Sequence, residues 1–230
     1  MNYKLYLDYL AERFQTIITA QNTTIIDTED FGWTNHRYKA DSFRMAHIER
    51  YTDDKVNVLH VTTFPNQWSP EPIFGFDIIT TQNAVIGAYM DFSPGLKTYN
   101  FTNGITFVDR KPIPEWATVF SDQFLTLKPK DDNEFMRFCD WAIQKYEWYL
   151  GILAEKYMVE WEEEHEVIKV QNNYCEVQAS NPRTYNVLKA KIGEQRAKYF
   201  MEEILFPQIP TDRVVIDRDV TELYKLLGIL

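Results

Sequence analysis

The chain is short of cysteine, with only Cys139 and Cys175. Two thiols without metal-type spacing supply neither a zinc motif nor a disulfide framework; they fit small buried side chains in a reducing cytosol. Glycine is scarce as well: eight residues, scattered, in a chain of 230. No Walker loop, dinucleotide fingerprint or G-x-S-x-G elbow is present, so the commonest phosphate-cradling and acyl-transfer chemistries are excluded. No apolar run approaches the ~18 residues needed to span a bilayer. The opening MNYKLYLDYLAERF has no uninterrupted apolar stretch of the signal-peptide kind. Basic charge is in deficit, 24 Lys and Arg against 34 Asp and Glu, for a net charge of −10. A free nucleic acid needs a basic field that this chain lacks.

What is present is core-forming material. Hydrophobic residues make up 45% of the chain and aromatics 15%, enough for one well-filled core. The N-terminus reads as an amphipathic helix with Leu5, Tyr9, Leu10 and Phe14 in phase. Residues 43–64 read as two strands joined at TDDK. In the first, Phe43, Met45, His47 and Glu49 share a face, and in the second Val56, Val58, His60 and Thr62 do so. IFGFDII (73–79) and NAVIGAYMDF (83–92) follow as third and fourth strands. Their short connections predict antiparallel neighbours. A long irregular segment over 93–116 suggests binding, and FSDQFLTLKP (120–129) adds one more strand. From Asp132 the period turns helical, with Phe135, Phe138, Ala142, Tyr146, Tyr149 and Leu153 on one stripe. Helix continues over 161–178, with EWEEEHE as a solvated face, and a last helix covers 184–205 before Pro207 and Pro210. The predicted fold class is α+β: one antiparallel sheet with helices packed on its faces. Residues 1–210 form one domain, and 211–230 an appended segment.

One residue conflicts with its surroundings. In IFGFDIIT (73–80) an acid, Asp77, sits inside an apolar strand. A buried carboxylate must be paired, hydrogen-bonded or protonated. His47, Glu49 and His60 occupy neighbouring strands. If strands 56–64 and 73–79 pair, His60 and Asp77 face each other and share a proton. Taken singly, each has a bland reading as a satisfied strand histidine or a turn aspartate; together they suggest one pocket. Metal ligation would need convergence across three strands, and no HxH or HExxH spacing occurs. His36 and His165 sit in polar surroundings that suit the surface.

The ordered set HIE, VLHVTTFP, P-x-FGFDI and MDFSP, followed by NPRTYNVLKAKIGEQRAKYFMEEILFP, resembles the ferredoxin-dependent bilin reductases over about residues 30–207. The resemblance implies a three-layer α/β/α sandwich with a central antiparallel sheet. The substrate, biliverdin IXα, would lie between sheet and C-terminal helices. It implies no bound metal or flavin, single electrons from reduced [2Fe–2S] ferredoxin, bilin radical intermediates, and a cytoplasmic monomer. Asp77 becomes a proton donor to the bilin, its pKa raised by the apolar strand. His60 holds or relays a proton with it, Glu49 protonates the vinyl side of the D ring, and His47 refills the supply through water.

The resemblance also implies basic side chains for the two propionates, Arg110 or its neighbour Lys111, and Arg183, with Asn181 and Val187 nearby. Pro182 stands where some relatives carry an Asp, and Ile86 where one has a polar contact. Ferredoxin is acidic, so docking must be local; Arg183, Lys189, Lys191, Arg196 and Lys198 form the candidate face. The leading expectation is reduction of biliverdin to phycocyanobilin. Phycoerythrobilin as product, a bilin carrier without reductase activity, and a structural domain with a coincidental polar cluster stay open.

Overall fold

The computed structural model describes residues 1–26, 29–102, 111–112 and 118–211. They form two compact units, Met1–Val170 and Gln171–Leu230, of which the second is described as far as Thr211.

The first unit is built on a seven-stranded sheet. Its strands are β1 (Thr24–Ile26), β2 (Thr34–Ala40), β3 (Phe43–Thr52), β4 (Asn57–Pro65), β5 (Ile73–Thr80), β6 (Val85–Ser93) and β7 (Leu125–Leu127). Spatial order equals chain order and every neighbouring pair is antiparallel. Short connections dictate this meander up to β6. Helices α1 (Tyr3–Thr19) and α2 (Asp132–Ala154) bury their apolar stripes against one face of the sheet. There Phe14 packs 5.1 Å from Phe76 and 5.2 Å from Tyr146, and Phe76 stacks on Phe138. Each fully buried aromatic of this kind contributes roughly 1.5–3 kcal/mol. Hydroxyls reaching this layer are matched: Tyr146 bonds Thr63, and Tyr149 donates to the Pro72 carbonyl at 2.6 Å. Asp131 caps α2 by accepting from the Glu134 amide, while Glu134 accepts from the Lys130 amide, a variant of the capping box.

The predicted α2 stripe is buried throughout, both cysteines are buried and outside any disulfide, and His36 and His165 are exposed. Other expectations need correction. The buried stripe of α1 is Tyr3, Leu7, Leu10, Phe14 and Ile18. Leu5 and Tyr9 face outward at 63% and 47% exposure, because the tighter i, i+4, i+7 series won the sheet. Phe43 belongs to the helix-side core rather than with Met45, since the register shifts between them. β1 and β2 were not legible: TII is too short to show a period, and TNHRYKA has no apolar alternation. Within the acidic run of α3 (Trp161–Ala179), Glu164 is buried and accepts from Gln67 at 3.1 Å.

In the second unit the expected helix over 184–205 is three segments: α4 (Pro182–Ile192), α5 (Glu194–Tyr199) and a π-helical turn over Phe200–Leu205. The break falls at Gly193, whose φ of 81° is open to glycine and costly for other residues. Asn172 closes this unit by accepting from the Ile209 amide and donating to its carbonyl.

Candidate active site

Strands alternate faces, so even positions of β3, such as Ala46 and Ile48, join the helix-side core and odd positions turn to the opposite face. Register then decides what meets there. Asn35, Glu49, His60, Asp77, Tyr89 and Thr126 are successive cross-strand partners. They make one row across six strands, and His60 lies directly between the two acids. Next to it runs a second row: Arg37, His47, Thr62, Gly75 and Asp91. The four strand residues expected to act together are therefore brought together.

Their hydrogen bonds fix orientation. Trp33 Nε1 donates to Glu49 Oε1 at 2.8 Å. Asn35 gives its amide NH2 to the Trp33 carbonyl, which turns its Oδ1 to His47 Nε2 at 3.1 Å. His47 must then carry its proton on Nε2, leaving Nδ1 as an acceptor. His47 Nδ1 is buried and has no hydrogen-bond partner among the described residues. Thr62 Oγ1 lies 2.9 Å from His60 Nε2, and the two imidazoles meet edge to face, 6.3 Å between centroids. Asp77 Oδ1 is likewise buried without a partner among the described residues. A buried polar atom of this kind calls for an explanation, such as a catalytic role or a bound water, ion or ligand.

Burial inverts the ordinary order of titration. It pushes the carboxyl of Asp77 up to about 7. Glu49 also rises to about 7, through burial and the Asp77 charge, against the opposing bond from Trp33. Burial drives His60 down to about 4. His47 falls well below its usual value through burial, then through the charges of His60, Arg37 and His36. The groups that exchange protons near neutral pH are thus the carboxyls, while the imidazoles are neutral. That distribution suits acids that deliver protons to a bound base.

Asp91 ends the second row. Burial raises it to about 6 although Ser121 and Ser93 bond it. Ser121 Oγ and amide reach its two oxygens at 2.5 and 2.8 Å, and Ser93 Oγ donates at 2.9 Å. These bonds fasten the segment that leads into β7.

Lys111 is exposed, and its amide donates to the Thr126 carbonyl at 2.7 Å, at the β7 end of the first row. Arg110 lies outside the described residues. In the second unit Asn181 caps α4, its side chain accepting from the Arg183 amide, and Arg183 is exposed. Val187 is 57% exposed. Lys189 pairs with Glu194 at 3.0 Å and Lys198 approaches Glu202 at 3.9 Å, while Lys191 and Arg196 are exposed. Ile86 is the bulged residue where β6 shifts register against β5, 48% exposed. Trp33, Asn35, Arg37 and Tyr89 escaped sequence reading; only Tyr89 carried a signal, the alternation Gly87, Tyr89, Asp91. Among the described residues, no cluster of three metal-ligand side chains forms and no helix is long and apolar enough to cross a membrane.

Known proteins share this arrangement of elements. A solved structure of PcyX superposes with a TM-score of 0.65 at 23% identity, covering 89% of this chain and 99% of that one. Tomato phytochromobilin synthase, solved in complex with biliverdin, gives 0.64 at 16% identity, covering 89% and 82%. In sequence, the phycocyanobilin:ferredoxin oxidoreductase of Trichodesmium erythraeum is 29% identical over 187 residues, 75% of each chain. That of Prochlorococcus marinus is 28% identical over 183 residues, 75% of this chain and 76% of its own. The profile of the ferredoxin-dependent bilin reductases matches residues 10–207. The chain belongs to the ferredoxin-dependent bilin reductase family.

Proposed function

We propose that this protein reduces biliverdin IXα to phycocyanobilin, taking electrons one at a time from reduced [2Fe–2S] ferredoxin. Four electrons and four protons enter per bilin. The observation that carries the reading is the single row Glu49–His60–Asp77, with two carboxyls raised to about 7 flanking a neutral imidazole. An unreduced bilin is a poor electron acceptor until it is protonated, and Asp77 holds a transferable proton near neutral pH. Its buried Oδ1, without a partner among the described residues, suits the pyrrole N–H groups and lactam oxygens of a bilin.

In this reading Asp77 gives the first proton and each radical intermediate is quenched by a further proton and electron. His60, oriented by Thr62, accepts and passes protons between Asp77 and the bilin. Glu49, held by Trp33, serves the vinyl side of the D ring. His47, with Nδ1 available as an acceptor, connects to His60 through water and restores the proton supply. The propionates are held by basic side chains, Lys111 or Arg110 and Arg183, with Asn181 and Val187 alongside. The acidic donor docks on the face carrying Lys189, Lys191, Arg196 and Lys198. Ion pairs on that face are exposed and weak, so they yield readily to a partner. The protein works as a cytoplasmic monomer.

The test is anaerobic turnover of biliverdin IXα with ferredoxin, ferredoxin reductase and NADPH, the pigment being identified by chromatography. Phycocyanobilin is the expected product. Phycoerythrobilin would overturn the product assignment, and biliverdin bound but unchanged would overturn the reductase in favour of a carrier.

A further inference from the structure

The apolar surroundings of the catalytic row are asymmetric. On the side away from His47 and Asp91 the next row is Tyr51, Val58, Ile79 and Gly87. The first three of these are half-buried, so the sheet offers an apolar floor beside its proton donors. An aromatic group stands at each end. At the β3 end Trp33 meets Tyr51 edge to face, 5.6 Å between centroids. At the β6 end Tyr89 stacks on Phe124 at 6.2 Å and 17°, and Phe124 stacks on Phe120 at 4.4 Å and 11°.

Tyr89 takes this position because of Gly87. A Cβ at Gly87 would fall 2.5 Å from the Tyr89 hydroxyl and 2.6–2.7 Å from two ring atoms. The ring is folded back along its own strand over a residue with no side chain. Tyr89 is also the immediate partner of Asp77 and lies three strands from Glu49. Adjacent strands are about 4.8 Å apart, so the wall stands about 14 Å from Glu49.

We propose that Tyr89, folded over Gly87 and backed by Phe124 and Phe120, is a positioning residue that fixes how far a planar conjugated substrate sits along the row. It thereby sets whether Glu49 reaches its target. This inference rests on the bilin reductase reading and adds the determinant of regiochemistry. Asp77 and His60 lie under the middle of a long conjugated molecule and tolerate sliding. Glu49 serves one end and does not, because displacement of about 1 Å from an attack geometry can cost ~100-fold in rate. Removal of the wall lets the substrate move toward β6, away from Glu49.

The experiment compares wild type with Tyr89→Ala, Tyr89→Phe and Gly87→Ala in anaerobic turnover of biliverdin IXα, with the bound-pigment absorbance recorded before reduction. In Tyr89→Ala the share of product reduced at the D-ring vinyl group falls about tenfold, with biliverdin still bound. Tyr89→Phe keeps the ring and the wild-type product ratio. Gly87→Ala displaces the ring without altering Tyr89 and also changes the ratio. Turnover by both Tyr89→Ala and Gly87→Ala with an unchanged product ratio would overturn this inference alone. Absence of turnover in the wild type would instead overturn the reading of function and this inference with it.

Discussion

On the helix side of β5, Phe76 lies between Phe14 and Phe138 in a layer of carbon. One residue on, Asp77 faces the opposite way into a surface of carboxyls, imidazoles and hydroxyls. The same strands supply both layers, and only the period-2 alternation separates them. On the first face nearly every group is satisfied by dispersion and burial. On the second, buried polar atoms of Asp77 and His47 have no hydrogen-bond partner among the described residues. The contrast teaches how this fold maintains a site of buried titratable groups: one face supplies stability and the other is freed to hold groups at unfavourable protonation. Sites of this kind are commonly optimised for chemistry at some cost in stability.

Asp77→Asn sharpens the contrast most. Turnover of biliverdin falls about 10²- to 10⁴-fold, the usual worth of a positioned acid. Stability moves the other way. Asp77 has a folded pKa of about 7 against an ordinary 3.8. A raised acid contributes stability that is complete below its unfolded pKa and lost as pH rises through the folded one. The window is therefore about pH 4 to 7. Thermal melts of Asp77→Asn should match wild type near pH 4 and lie above it at pH 8. A variant that melts lower at pH 8, or that keeps turnover, would contradict the assignment.

Phe76→Ala breaks the other face. Denaturant unfolding should report a loss of about 3–5 kcal/mol, the range for a buried aromatic truncated to alanine. Turnover per folded molecule should persist, and a selective loss of turnover with stability intact would place Phe76 in the site.

Thr62→Val has the smallest expected effect. It preserves shape and removes the hydroxyl 2.9 Å from His60 Nε2. Losing one such bond is worth about 1 kcal/mol, or about fivefold in kcat/KM, with Thr62→Ser restoring it. An unchanged rate would show that His60 is oriented by other contacts.

Residue periodicity placed His47 with Glu49, and His60 with Thr62, because alternation is local and needs no knowledge of neighbours. Short connections made β3 to β6 antiparallel, and the stripe Phe135 to Leu153 defined α2 before any contact was known. The N-terminal helix was legible as an element but its buried side was not, since Leu5 and Tyr9 are as apolar as the residues that won. Gly193 was visible as a glycine, but its positive φ was not, so one helix was read where three segments stand.

By itself, then, the sequence determined the α+β class, the strand faces and the set of chemically unusual side chains, all consequences of near-neighbour sterics and hydrophobic period. Tertiary structure alone decided the register that puts Glu49, His60 and Asp77 in one line. It brought in Trp33 and Asn35 from residues with no apolar pattern, and it placed Tyr89 over Gly87. It also set the protonation order, because a pKa depends on the solvent removed around a group, and that follows from how the whole chain packs.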